Sequence, residues 1–215
     1  MMGFTGFGEH AVDFYDGLEA DNSKAYWTDH KDTYDQDVRA PMLAMLAELE
    51  EEFGAGKLFR PYRDVRFSHD KSPYKTAAGA LAGGELGEST YYVQISANGL
   101  MLAGGCYRLA TDQVARYRTA VAEDRRGGEL VKVLAKLTKA GWSVQGDVMK
   151  TRPRGVEADH PRLDLLRHRS LHASRAWEPG DYLHERECLT RVRKHWRALA
   201  PLTAWLADHV GPPSG

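Results

Sequence analysis

Between Glu9 and Ala20 the apolar positions are Ala11, Phe14, Tyr15 and Leu18. That alternation of three- and four-residue steps predicts a helix with one buried face. Asp21-Asn22 interrupts it, with Asn22 as the expected N-cap of the next element. Trp27, Tyr34, Val38, Met42, Met45, Leu49 and Phe53 repeat at the same steps. They predict a long helix, kinked or restarted at Pro41, whose nitrogen cannot donate to the preceding turn. Gly54-Ala55-Gly56 ends it.

The period then drops to two. Tyr62–Phe67, Tyr74–Leu81, Thr90–Ala97 and Leu100–Tyr107 read as strands. Asn98-Gly99 between the last two predicts a hairpin with a type I′ turn, which needs positive φ at both positions. The pairs Gly83-Gly84 and Gly104-Gly105 mark turns or bulges. A helix capped by Thr111 turns Val114, Tyr117 and Val121 inward. A second, with Leu130, Val133, Leu134 and Leu137, stops at Gly141. Trp142–Thr151 and Leu171–Trp177 read as strands, with a short helix opened by Pro161 between them. Asp181 is the expected cap of a last long helix, interrupted near Pro201. Helices first, then grouped strands without βαβ alternation, predict an α+β fold. The expectation is a single domain over residues 1–210, with an antiparallel sheet of about five or six strands covered by N-terminal and C-terminal helices. Residues 211–215 are expected to be a disordered tail.

The chain has 215 residues, is 42% hydrophobic and 27% charged, and carries a net charge of −1. That balance is ordinary for a soluble globular protein and disfavours nucleic acid, which usually meets a clearly basic domain. No apolar run approaches the roughly 18 residues of a membrane span, and Met1–Phe7 lacks the pattern of a signal peptide. Cys106 and Cys188 are far apart and make no motif, which fits a reducing cytosol, so the expected location is cytoplasmic.

Charge is concentrated in one stretch. Between Arg60 and Thr76 stand five bases (Arg60, Arg63, Arg66, Lys71, Lys75) and two acids (Asp64, Asp70), a local +3 in a near-neutral chain. On a strand, Arg60, Tyr62, Asp64 and Arg66 share one face, while Arg63, Val65 and Phe67 share the other; Ser68–Pro73 is the turn. Guanidinium forks beside an ammonium suit phosphate or carboxylate. Asp64 is placed to orient an arginine, or to act as a base if desolvation raised its pKa. The competing reading makes the stretch an ion-pair network that only stabilises the fold.

The pattern Arg60-x-x-Arg63-Asp64-x-Arg66-Phe67-x-x-Asp70-Lys71-x-x-Tyr74 resembles the signature of a family of conserved hypothetical proteins, domain of unknown function 2461. Phe4, Phe14, Leu18, Asn22, Trp27 and Tyr34 resemble its opening helices. Leu102–Tyr107 resembles its glycine-rich strand, and Lys150–Gly155 with His160-Pro161 its later segment. The resemblance spans nearly the whole chain and implies no activity, cofactor or catalytic residue beyond the motif positions themselves.

Lys150, Arg152 and Arg154 alternate along a further basic segment. Lys150 and Arg152 join the candidate site, while the other bases there read as a solvated strand edge. His168/His172 and His184/Cys188 lie four apart but lack further ligands, so no metal is expected. No phosphate-cradling glycine loop or nucleophile elbow is present. The functional expectation is a small anionic ligand, held by Arg60, Arg63, Arg66, Lys71, Tyr74, Lys75, Lys150 and Arg152, with Asp64 as the one catalytic candidate and no cofactor. The alternative is a non-catalytic structural or interaction module.

Overall fold

The computed structural model describes residues 3–66, 69–85 and 87–214. Its elements run α1 (Ala11–Ala20), α2 (Lys24–Asp29), α3 (Lys31–Thr33), a π-helical turn (Tyr34–Arg39), α4 (Ala40–Phe53), β1 (Gly56–Leu58), β2 (Ala77–Ala82), β3 (Thr90–Ser96), β4 (Gly99–Cys106), α5 (Thr111–Ala122), α6 (Asp124–Lys139), β5 (Ser143–Gln145), α7 (Leu163–Leu166), β6 (Leu171–Trp177), a 3-10 turn (Asp181–His184) and α8 (Glu187–His209). The strands form one six-stranded antiparallel sheet in the order β1-β2-β3-β4-β6-β5. The α+β class expected from grouped strands is the class observed.

The chain divides into two compact units. One comprises Met1–Ala82, Tyr92–Leu102 and Ala176–Lys194; the other Gly83–Tyr91, Ala103–Arg175 and His195–Gly215. Buried side chains of the first include Phe4, Tyr15, Leu18, Met42, Met45 and Ile95. Those of the second include Tyr117, Leu130, Leu134, Leu171, Trp196 and Leu199.

Helix α1 buries Ala11, Phe14, Tyr15 and Leu18, the stripe its spacing predicts. Asn22 does not cap the next helix. Ser23 does, its Oγ accepting from the Tyr26 N–H at 3.1 Å, and Asn22 is used elsewhere. The long helix expected over residues 27–53 breaks once, at His30, and from Lys31 to Phe53 the backbone stays helical, with π geometry over Tyr34–Arg39. Pro41 cannot bond the carbonyl of Asp37 four residues back. That carbonyl instead accepts from Gly8 N–H at 2.9 Å, and the turn before Pro41 widens to π geometry. The cap at Gly54 holds, at a φ of 83°.

The β3–β4 hairpin forms at Asn98-Gly99, but only Gly99 has positive φ (87°), so the turn is not type I′. A single left-handed residue after the turn marks the longer hairpin loop. The Trp142–Thr151 strand shrinks to Ser143–Gln145 plus a bridge between Val148 and His168. Asp181 opens a 3-10 turn, and α8 starts at Glu187. Residues 211–214, expected to be a disordered tail, carry hydrogen bonds. Ser214 N–H donates to Asp112 at 2.8 Å, and Gln113 Nε2 donates to the Gly211 carbonyl at 2.7 Å. Tyr91 and Tyr92 are both half-buried and hydrogen-bonded, to Thr203 and Gln94.

Candidate functional site

The basic stretch lies in the first unit, after β1. β1 pairs with β2 through Leu58 opposite Ala80, and Phe59 N–H extends the ladder to Gly79 O at 2.9 Å. Beyond it, the strand expected over Tyr62–Phe67 is a single antiparallel bridge, Tyr62 with Tyr74. Phe67 and Ser68 lie outside the described residues. The reason is two prolines. In an antiparallel ladder, the residue pairs flanking this bridge should each exchange two bonds. Arg63 N–H reaches Pro73 O at 2.9 Å and Lys75 N–H reaches Pro61 O at 2.8 Å. Neither proline has an N–H to return the bond, so the ladder stops there.

Tyr74 is held from its other side by Asn22. The Asn22 amide donates to Tyr74 O at 3.1 Å and accepts from Tyr74 N–H at 3.0 Å, standing in for a neighbouring strand. The Tyr74 ring stacks on Trp27 at 4.4 Å and 8° and is 5% exposed. It is a packing residue, not the ligand contact expected of it.

Most charges of the stretch are neutralised within it. Arg66 grips Asp64 bidentately, at 2.9 and 2.7 Å, and Arg63 pairs with Asp70. Asp70 also caps the turn by accepting from Ser72 N–H at 2.9 Å, and Lys71 Nζ donates to Val65 O at 3.0 Å. Asp64 is therefore no desolvated base. It is exposed, and its hydrogen bonds from Arg66 hold its carboxyl below the usual carboxylate range. These pairs are open to water, and side-chain exposure alternates along Tyr62–Arg66 as strand geometry requires. Lys75 differs. Its ammonium lies 5.2 Å from the Phe59 ring centre. Burial lowers its pKa, and the nearby charges of Arg60 and Arg63 lower it further.

Beside the stretch opens a cleft of 410 Å³. One wall is Leu58–Tyr62. The other carries Trp27, Lys31, Tyr34, Asp35, Arg39 and Leu43. Lys31 is paired with Asp35. Arg39 and Arg60, both exposed, have no hydrogen bond or ion pair to their guanidinium groups among the described residues. Arg60 is thus the one expected ligand residue that lines the cleft. Arg63 and Lys75 act on it only as nearby charge, and Arg66 and Lys71 are spent within the loop. Sequence reasoning missed Arg39 and Leu43. Their signal was present: Lys31, Asp35, Arg39 and Leu43 recur every four residues, on the same side of a helical segment.

Lys150 and Arg152 belong to the second unit and do not line this cleft. Their segment is tied down by Arg167, which donates to the carbonyls of Met149 and Lys150 at 2.8 Å each. His168 sits in a bridge and His172 on β6, so the two do not share a helical face. Cys106 is a packed thiol, pushed up to about 11 by burial.

The fold and site together define an α+β protein on a six-stranded antiparallel sheet, with an open, aromatic-walled cationic cleft in its first unit. The chain belongs to the family described as conserved hypothetical protein (DUF2461), whose sequence profile matches residues 10–205. No curated protein matches it. Among the described residues, no helix is long and apolar enough to cross a membrane.

Proposed function

We propose that the cleft beside Leu58–Tyr62 binds a carboxylate- or phosphate-bearing ligand through Arg39 and Arg60. The observation that carries this is the contrast between the arginines. Arg63 and Arg66 have internal carboxylate partners, while Arg39 and Arg60 have none among the described residues and line one cavity with aromatic walls. A guanidinium with no internal partner keeps its planar fork for an incoming oxyanion. Lys75 adds positive charge near Arg60.

The competing reading, that the motif is a fold-stabilising network, fits the rest of the stretch. Asp64–Arg66, Arg63–Asp70 and Lys71 with Val65 O close the loop between the Tyr62–Tyr74 bridge and its turn. The two readings divide the motif: Arg60 faces ligand, and Arg63, Asp64, Arg66, Asp70 and Lys71 shape the loop.

Titration with inorganic phosphate, then citrate, at low salt and followed by NMR of the arginine side chains is the test. Shifts should centre on Arg39 and Arg60. Arg39→Gln and Arg60→Gln should each weaken binding about tenfold, as expected for one charge-assisted hydrogen bond. Melting temperature should stay within about 2 °C, because neither residue holds a structural pair. Absence of shifts at these residues, or unchanged binding in the double variant, refutes the proposal.

A further inference from the structure

The Leu58–Tyr62 wall of the cleft has a backbone as well as side chains. In an antiparallel ladder, successive residues turn their N–H and C=O groups alternately toward the neighbouring strand and away from it. Phe59 turns toward Gly79, and Pro61 and Arg63 turn toward Lys75 and Pro73. Leu58, Arg60 and Tyr62 therefore aim their backbone groups the other way. None of these groups has a hydrogen bond among the described residues. β1 is a terminal strand of the sheet, and all three residues line the cleft. The opposite wall is the stripe Lys31, Asp35, Arg39 and Leu43. The cleft is thus a groove between an unpaired strand edge and a helical wall.

We infer that this groove receives an extended acidic peptide segment, which adds as a further strand along Leu58–Tyr62. The inference rests on the anion-binding reading of the same cleft and specifies the ligand. The unpaired groups of Leu58 and Arg60 lie two residues apart, about 6.6–6.8 Å along a strand, before the chain bends at Pro61. That spacing matches another polypeptide backbone and exceeds what one small anion can bridge. Main-chain bonds of this kind supply affinity, and alternate side-chain positions supply specificity. Charge selects the partner. Lys31 is neutralised by Asp35, leaving Arg39 and Arg60 to receive carboxylates. Leu43 and Leu58 offer apolar contact to the side chains between them.

The test uses the full chain and a fluorescein-labelled Val-Glu-Val-Glu-Val-Glu-Val peptide, read by anisotropy at low salt. Three further ligands are the same peptide N-methylated at alternate amides, a Val-Lys counterpart, and inorganic phosphate. The Val-Glu peptide should bind, and N-methylation in one of its two registers should weaken it about tenfold or more, since a lost backbone bond leaves its partner unsatisfied. The Val-Lys peptide should not bind. Arg39→Gln and Arg60→Gln should weaken the Val-Glu peptide and flatten its salt dependence. Equal affinity for the methylated and unmethylated peptides, with phosphate still binding at Arg39 and Arg60, overturns strand addition and leaves anion binding standing. No binding of either phosphate or peptide overturns both. Concentration-dependent dimerisation in sedimentation that the Val-Glu peptide cannot displace assigns the edge to a second copy of this chain, and overturns the peptide.

Discussion

Replacing Asn22 with alanine removes both side-chain bonds to the Tyr74 backbone, at 3.1 and 3.0 Å. Among the described residues, Tyr74 makes no other hydrogen bond with these groups. Its bridge to Tyr62 is of the kind whose own N–H and C=O point away from the partner, because the bonds run through Arg63, Pro73, Lys75 and Pro61. A partly buried backbone group stripped of its partner costs about 1–3 kcal/mol. With some relief from water, losing both costs about 2–4 kcal/mol. For a chain of this length each kcal/mol moves the melting temperature by roughly 2–4 °C, so Asn22→Ala should melt about 4–16 °C lower. Asn22→Asp keeps the acceptor for Tyr74 N–H and loses the donor to Tyr74 O, so it should fall between wild type and alanine. Calorimetry or a denaturant series measures this. Because Tyr74 stacks on Trp27 and lies 5.4 Å from the Tyr62 ring, amide exchange near Tyr62 should also speed up. If Asn22→Ala melts within about 2 °C of wild type, the strand-like role of Asn22 is wrong.

Burial pushes the thiol of Cys106 up to about 11 and that of Cys188 up to about 12. Both should therefore resist iodoacetamide in the folded protein at pH 7.5 and react on unfolding in urea; rapid native labelling by mass spectrometry would contradict the packing. Glu123 caps α6 by accepting from the Arg125 and Arg126 N–H groups at 2.9 and 3.0 Å, and these bonds hold its carboxyl down to about 2. Its folded pKa is depressed, so its contribution is full above the unfolded value of about 4.3 and is lost as pH falls toward the folded one. The acid slope of melting temperature between about pH 5 and 2 should flatten in Glu123→Gln; an unchanged slope counts against the cap.

Local pattern reached far into this fold. The buried stripe of α1, the hairpin at Asn98-Gly99, the bounds of β6 at Leu171 and Trp177, and the inward faces of α5 and α6 can all be read from spacing. Burial of one face is a property of neighbouring residues and needs no knowledge of the partner surface. The candidate site was legible only in part. Arg60 stands out in the sequence as part of a basic stretch, but nothing local could tell that Arg63 and Arg66 would pair with Asp70 and Asp64, or that Arg39 would line the same cleft as Arg60. Long charged side chains choose partners by where tertiary contacts bring the chain, and Arg39 and Arg60 come together from different elements. The same holds for backbone groups. Pro41 advertises a missing donor, but that Gly8 takes the orphaned Asp37 carbonyl is decided by packing. Pro61 and Pro73 each weaken a ladder, and only their placement on either side of one bridge ends the strand and leaves an edge open.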